Sequence, residues 1–297
     1  MKVIEDYKIS SILPFIHYDV EKLTKALNKQ SSLYIVDNMM LTKIKRDFVH
    51  YPFMIKGLKH SKLLIIPDVI LEEAARNLPD EQAFRNTYYE LFEILSSEKE
   101  IYVVSLDTIA HFLQNMFGKK EGQTLLKNIT LEAVRINQNI HRSIREVKVP
   151  SSTATQDMQI ALFDNGKNAG ERFITVFALA FIRLFYSPIF IFSEDVKGIY
   201  GAFKTFIGNE RLMELVDIQD HVDFIEQYRF LSYETLIQAM YYENNLNKDE
   251  LLQIIENTGR NESRVVLYSL DGYPCHTPIP NHQLVDWIVE DRIKIQF

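Results

Sequence analysis

Cysteine is almost absent: Cys275 is the only one in 297 residues, which excludes an internal disulfide framework and fits a reducing compartment. His276 beside it does not make a catalytic dyad by adjacency, because such a pair must be oriented by the fold. No two histidines have metal-ligand spacing, which removes the common zinc patterns. Long apolar runs are missing too. The most apolar stretch, 177–192, is interrupted by Arg183 and Pro188 and falls short of the roughly 20 residues that span a bilayer. It reads instead as a buried helix followed by a buried strand. The opening MKVIEDYKIS carries acids and no sustained apolar segment, so no secretory signal is expected and a cytoplasmic location is the default. There is no internal repeat and no low-complexity tract. A surplus of positive charge is also lacking. The formal net charge of -7 argues against binding nucleic acid through overall charge.

What is present is core-forming material. With 46% apolar residues the chain is globular rather than disordered, and its length suits one enlarged domain or two. Two local basic runs offset the negative total. The first holds Lys43, Lys45, Arg46, Lys56, Lys59 and Lys62 against Asp47, the second Arg135, Arg142, Arg145 and Lys148 against Glu146. Each is either a solvated helix face or, beside an acidic pocket, a source of phosphate contacts.

Four separated stretches, 33–41, 63–78, 168–181 and 189–198, each carry an acid where a strand should hand over to a helix: Asp37, Glu73, Glu171 and Asp195. Strands of a parallel sheet end on one edge, and ligand sites of open α/β sheets lie outside those ends, so acids far apart in sequence can converge. Two carboxylates about 5 Å apart repel by about 3 kcal/mol at an effective dielectric near 20. A cluster of them therefore takes up protons at neutral pH or holds a cation. Hard oxygen donors without Cys or His nearby point to Mg2+ or Mn2+. Each acid also has a plain local alternative. Asp37 suits an Asx turn or N-cap, Glu171 closes a capping box opened by Asn168, and Asp195 caps a helix starting near Val196. Glu72 is as good a carboxylate as Glu73.

Along the chain, a helix is expected within 19–30, a first sheet strand over 32–37, and helical segments to about 60 broken at Pro52. A strand at 62–67 leads into a helix over 69–78, then come a helix over 80–97, a strand at 101–106 and a helix N-capped by Asp107. Residues 119–167 read as one long helix ending before Pro150, a Ser/Thr-rich link and a short helix. A helix over 171–186, apolar on nearly every side, implies burial between layers. Next are a strand at 188–193, a helix over 196–207 and a strand at 212–218. This alternation indicates α/β architecture with a mainly parallel sheet. Helices at 220–229, 232–244 and 248–257 precede a small β-containing end: a strand at 264–270, the turn Asp271-Gly272, a Pro-rich loop, a helix over 282–289 and a strand at 292–297.

These motifs resemble the PIN-domain family of metal-dependent nucleases, found in toxin and RNA-processing proteins. The family pattern is a strand ending in Asp, an apolar strand with Pro leading to a helix bearing Glu, a Gly-Glu helix start, and a strand ending in Ser or Thr, any residue, Asp. Here those are Asp37, the IPDVILEE stretch with Glu73, Gly170-Glu171 and Ser193-Glu194-Asp195. IYVVSLDTIAHFL is similar to the family's intervening strand and helix, and LMELVDIQDHVDFI to its closing strand and final helix. The resemblance implies a three-layer α/β/α PIN-like fold over 32–230 with a helical insertion at about 119–167, an N-terminal extension over 1–31 and an α+β accessory region over 231–297.

It also implies phosphodiester hydrolysis, with single-stranded RNA as substrate and DNA as the alternative. Asp37, Glu171 and Asp195 would hold one or two Mg2+ or Mn2+ ions, and Glu73 would complete the shell or orient the attacking water. Ser193 would bind a carboxylate or substrate, and Glu194 would either add a ligand or only shape the turn. Phe48, Tyr51 and Phe53 either stack on bases or belong to the core. A protein inhibitor or a homodimeric partner enters by family analogy only. Two other readings compete: an inactive PIN-shaped scaffold that binds RNA or a protein, and a helix-turn-helix region over 220–258. The helix of the latter, KDELLQIIENTGR, is acidic and would oppose phosphate charge.

Overall fold

The computed structural model describes residues 13–76, 78–163, 168–195 and 197–296. Of the expected N-terminal extension, residues 1–12 lie outside the described residues, as do 164–167 of the expected insertion. The chain forms an α/β fold around a six-stranded sheet of order β1-β4-β3-β2-β5-β6. The strands are β1 Ile16–His17, β2 Leu33–Val36, β3 Leu63–Pro67, β4 Glu100–Val104, β5 Ile189–Phe192 and β6 Tyr228–Leu231. Every pairing is parallel, and helices flank the sheet as in a three-layer α/β/α arrangement.

β2, β3 and β5 are buried at every position, as the continuous apolar runs of a sheet covered on both faces require. The helix Ala169–Phe185 runs beside them with Phe173, Phe177 and Phe181 fully buried. From β2 the chain winds outward through β3 to β4, then returns to place β5 on the other side of β2. The strand order therefore reverses between β2 and β5, which is where open α/β sheets bind ligands.

Several expected elements form differently. The sheet begins earlier than 32–37: Ile16–His17 pairs with Ile101 and Tyr102, so the N-terminal segment supplies an edge strand. The helix after β4 is capped by Ser105 rather than Asp107, the Ser105 hydroxyl accepting from the Thr108 amide. The long helix within 119–167 is two, Lys119–Ala133 and Gln138–Glu146, the second N-capped by Asn137. The strand expected at 212–218 is a helix, Glu210–Val216. Leu212, Met213 and Val216 bury one face of it, and the Asn209 side chain caps its start. The closing strand is supplied instead by Tyr228–Leu231, which pairs with β5 in full register.

The C-terminal part forms a second sheet of order β8-β7-β9, with β7 Val265–Leu270, β8 Tyr273–Pro278 and β9 Ile293–Ile295. The expected Pro-rich loop is thus the strand β8. Asp271 and Gly272, both at positive φ, form the two-residue turn. Leu270 and Tyr273 flank it as a hydrogen-bonded pair, and such pairs alternate with non-hydrogen-bonded ones. On that alternation Pro274 and Pro278 fall where no ladder N–H is needed, and both shield an exposed edge.

Phe177 has no exposed surface and sits in the helix against which the sheet is built. Phe177→Ala is expected to lower the free energy of unfolding by about 3–5 kcal/mol in a urea titration. A loss below about 1 kcal/mol would mean that this helix is not the central packing element.

Candidate metal centre

The register between β2 and β5 pairs Val36 with Phe192. One residue further along both strands, Asp37 meets Ser193, whose hydroxyl donates to Asp37 Oδ2 at 2.9 Å. The Asp37 amide completes the ladder by donating to the Phe192 carbonyl at 3.1 Å. Asp37 occupies the N-cap position of the helix Asn38–His50, yet its side chain makes no capping bond. The capping alternative therefore fails for Asp37, and its carboxylate faces the end of β5.

Asp195 does cap its own turn. Its Oδ1 accepts from the amides of Lys197 at 3.1 Å and Gly198 at 3.0 Å, and its Oδ2 from Ile199 at 2.9 Å. The Asp195 amide in turn donates to Ser193 Oγ at 3.0 Å, so one hydroxyl links the two aspartates. Glu171 stands in the first turn of the helix Ala169–Phe185, and Asn168, at φ 58 with no side-chain cap bond, opens no capping box. The Glu171 carboxyl group instead lies beside that of Asp195, the two meeting over Gly198. Glu73, in the helix Asp68–Ala75 after β3, accepts the Gly170 amide on Oε1 at 3.1 Å. Glu73 is thus joined to the start of the Glu171 helix.

Two glycines let these groups approach. A Cβ on Gly170 would lie 2.7 Å from Ile70 Cδ1 and 3.0 Å from Glu73 Oε2. A Cβ on Gly198 would collide with both Asp195 Oδ2 and Glu171 Oε2. Gly198 has an ordinary φ of -80, so its need is space rather than backbone freedom.

The electrostatic consequence is visible in the titration of the cluster. Burial pushes Asp37 up from 3.8 to about 6; the Ser193 hydroxyl and Asn38 amide oppose the rise, and the Asp195 and Glu73 charges add to it. Burial likewise pushes Glu171 from 4.5 up to about 8, reinforced by the Asp195 and Asp37 charges and by the hydrogen bond to Asp195, with Arg172 opposing. Asp37 thus feels the charges of Asp195 and Glu73, and Glu171 those of Asp195 and Asp37, across the strand-order reversal.

The donor set is all oxygen, which suits Mg2+ or Mn2+. Among the described residues no three such side chains are arranged as a ready ligand group. Asp37, Glu73 and Asp195 each turn oxygens toward protein donors. A carboxylate offers about four lone-pair sites, so these bonds fix its orientation and leave acceptor capacity. The all-oxygen donor set and the mutual repulsion are of the kind a divalent cation would offset, while the contact at Gly198 is too close to hold anything larger than a hydrogen.

Other sequence candidates fare differently. Glu194 is not turned to the carboxylates but paired with Lys43 at 2.9 Å and Arg264 at 3.8 Å. Phe48 is fully buried, and Tyr51 and Phe53 pack against the core, so the core alternative holds for Phe48. Much of the first basic run is engaged: Lys43 with Glu194, Arg46 with Asp47, Lys59 with Glu243 and Lys62 with Glu98. Arg142, Arg145 and Lys148 of the second are exposed. Sequence reading missed Gly198, although a glycine closely following Asp195 is a turn signal. It also missed Arg264, for which no local signal exists. No helix among the described residues is long and apolar enough to cross a membrane. No protein-family model, curated protein or solved structure matches the chain.

The raised carboxyls set the sign of a pH dependence. At Asp37 and Glu171 the folded state binds a proton more tightly than the unfolded one, so the stability these two groups contribute without metal is fully present below the unfolded values and is lost as pH rises. For Glu171 the fall extends from 4.5 to about 8. Thermal melts without divalent ions should show it, and Glu171→Gln should flatten it and stabilise the chain at pH 8. A wild-type melt independent of pH across that window would contradict the clustering. Gly198→Ala is expected to cost about 1–3 kcal/mol through overpacking, a penalty that Glu171→Ala should relieve in the double variant.

Proposed function

We propose that the chain is a divalent-metal-dependent nuclease of PIN-like fold that hydrolyses phosphodiester bonds. The observation that carries this reading is the meeting of Asp37, Glu73, Glu171 and Asp195 where the strand order reverses. The resemblance to the PIN-domain family, carried by the same four motifs, is its other support. RNA is the chosen substrate on that resemblance, since the aromatic and basic residues near Asp37 are largely engaged within the protein.

On this reading Asp37, Glu171 and Asp195 hold the ion, Asp37 aimed by Ser193 and Asp195 by the amides of its turn. Mg2+ or Mn2+ would supply activation of a bound water and stabilisation of charge growing on the phosphate. Burial, reinforced by the Asp195 and Asp37 charges, favours a proton on Glu171 at neutral pH, and a bound cation would take that proton's place as counter-charge. Glu73 is anchored through Oε1 to the Gly170 amide, and its Oε2 is the atom that takes a proton from the attacking water. Burial of Asp37, 7% exposed, keeps bulk water from screening these charges.

A second reading is an inactive scaffold of the same shape that binds RNA or a protein. It is favoured by the absence, among the described residues, of a ready three-ligand group. Cleavage of a mixed-sequence single-stranded RNA with and without Mn2+ separates the two. The nuclease reading expects Mn2+-dependent products, and Asp37→Asn should lower the rate by at least about 100-fold. Equal activity in wild type and Asp37→Asn would remove the site, and no activity with tight RNA binding would favour the scaffold.

A further inference from the structure

Glu194 stands between the two residues that organise the carboxylates, yet its own side chain joins another part of the chain. It is 8% exposed, with Oε1 at 2.9 Å from Lys43 Nζ and 3.8 Å from Arg264 Nε. Arg264 precedes β7 and also pairs with Glu234, which is 1% exposed and lies 3.0 Å from Arg260 Nε. Arg260 donates onward to the Ile279 carbonyl at 2.7 Å and Asn281 Oδ1 at 3.0 Å. A continuous series of buried ion pairs and hydrogen bonds thus runs from the C-terminal region to the turn carrying Asp195.

Buried charges of this kind hold position because moving one leaves its partners unpaired away from water. Lys43 adds a second constraint: it lies in the helix that follows Asp37, with Nζ also 4.2 Å over the Tyr233 ring. Glu194 is therefore gripped from the Asp37 side by Lys43 and from the C-terminal side by Arg264. Its immediate neighbours in sequence are Ser193, bonded to Asp37, and Asp195, whose carboxylate lies beside that of Glu171 over Gly198.

We infer that Arg264 is a positioning residue for the carboxylate site: through Glu194 it fixes the turn that presents Ser193 to Asp37 and Asp195 to Glu171. The C-terminal region then completes a site whose four acids all lie in the sheet-forming part of the chain. The consequence for metal affinity rests on the proposed nuclease reading, whereas the positioning itself is measurable without metal.

The test uses the full chain as wild type, Arg264→Met and Glu194→Gln, with Arg292→Met as control. Arg292 pairs with Asp271 and Glu290 on the exposed surface of the same region. Amide hydrogen exchange is followed without metal, and Mn2+ affinity by calorimetry. Both test variants should speed exchange of the Asp195, Lys197, Gly198 and Ile199 amides by about tenfold or more, leaving the helix Ala169–Phe185 at its wild-type rate. Mn2+ binding should weaken by about 10- to 100-fold, and the control should match wild type in both.

Unchanged exchange at this turn overturns the inference, as does faster exchange spread over the whole chain. So does unaltered affinity in both variants when the wild type binds Mn2+. Should Arg264→Met fail to fold, Glu194→Gln, which keeps the side-chain shape, decides by the same readings. A wild type that takes up no Mn2+ sinks the metal reading alone, and the exchange comparison still decides the role of Arg264.

Discussion

Burial of clustered carboxyl groups, reinforced by their mutual repulsion, is the constraint around which this junction is organised. Asp37 lies buried at the end of β2, and its neighbours Asp195 and Glu73 raise its proton affinity further. Such groups stay together only because stronger features hold them: a parallel ladder, a shared serine hydroxyl and three amides of one turn. Folding thus sets up an electrostatic cost that protons offset at low pH and that a cation would offset at neutral pH.

The architecture was legible where one signal dominated locally. Continuous apolar runs at Leu33–Val36, Leu63–Pro67 and Ile189–Phe192 are buried parallel strands, and the helix apolar all round is the buried Ala169–Phe185. The strand and helix periods could not be told apart in the short 212–218 segment, where Leu212, Met213, Leu215 and Val216 satisfy either pattern and Asn209 capping settles the helix. Proline obscured β8, because its compatibility depends on which face of the ladder it meets, and that is fixed only by the register with β7. The two-residue β1 is too short to carry any periodicity and exists through its partner β4.

Site residues were legible by position in the strand-to-helix pattern, while their supports were not. The four acids could be named because each closes or follows an element recognisable on its own. What bears on their local alternatives are contacts distant in sequence: Asp37 meets Ser193, Glu73 the Gly170 amide, and Glu171 lies beside Asp195. For Asp195 the capping alternative holds, and the bonds that cap its turn also aim its carboxylate. Glu194 shows the converse, an acid inside the motif whose charge serves a buried pairing with Lys43 and Arg264.

The central claim is that these acids form one cation site at the β2–β5 junction, and anomalous scattering from a crystal soaked in Mn2+ tests it most directly. The account predicts a peak bounded by carboxylate oxygens of Asp37, Glu171 and Asp195, at about 2.0–2.2 Å from its ligands. A peak elsewhere, or none at an Mn2+ concentration high enough to load weak carboxylate sites, would contradict it.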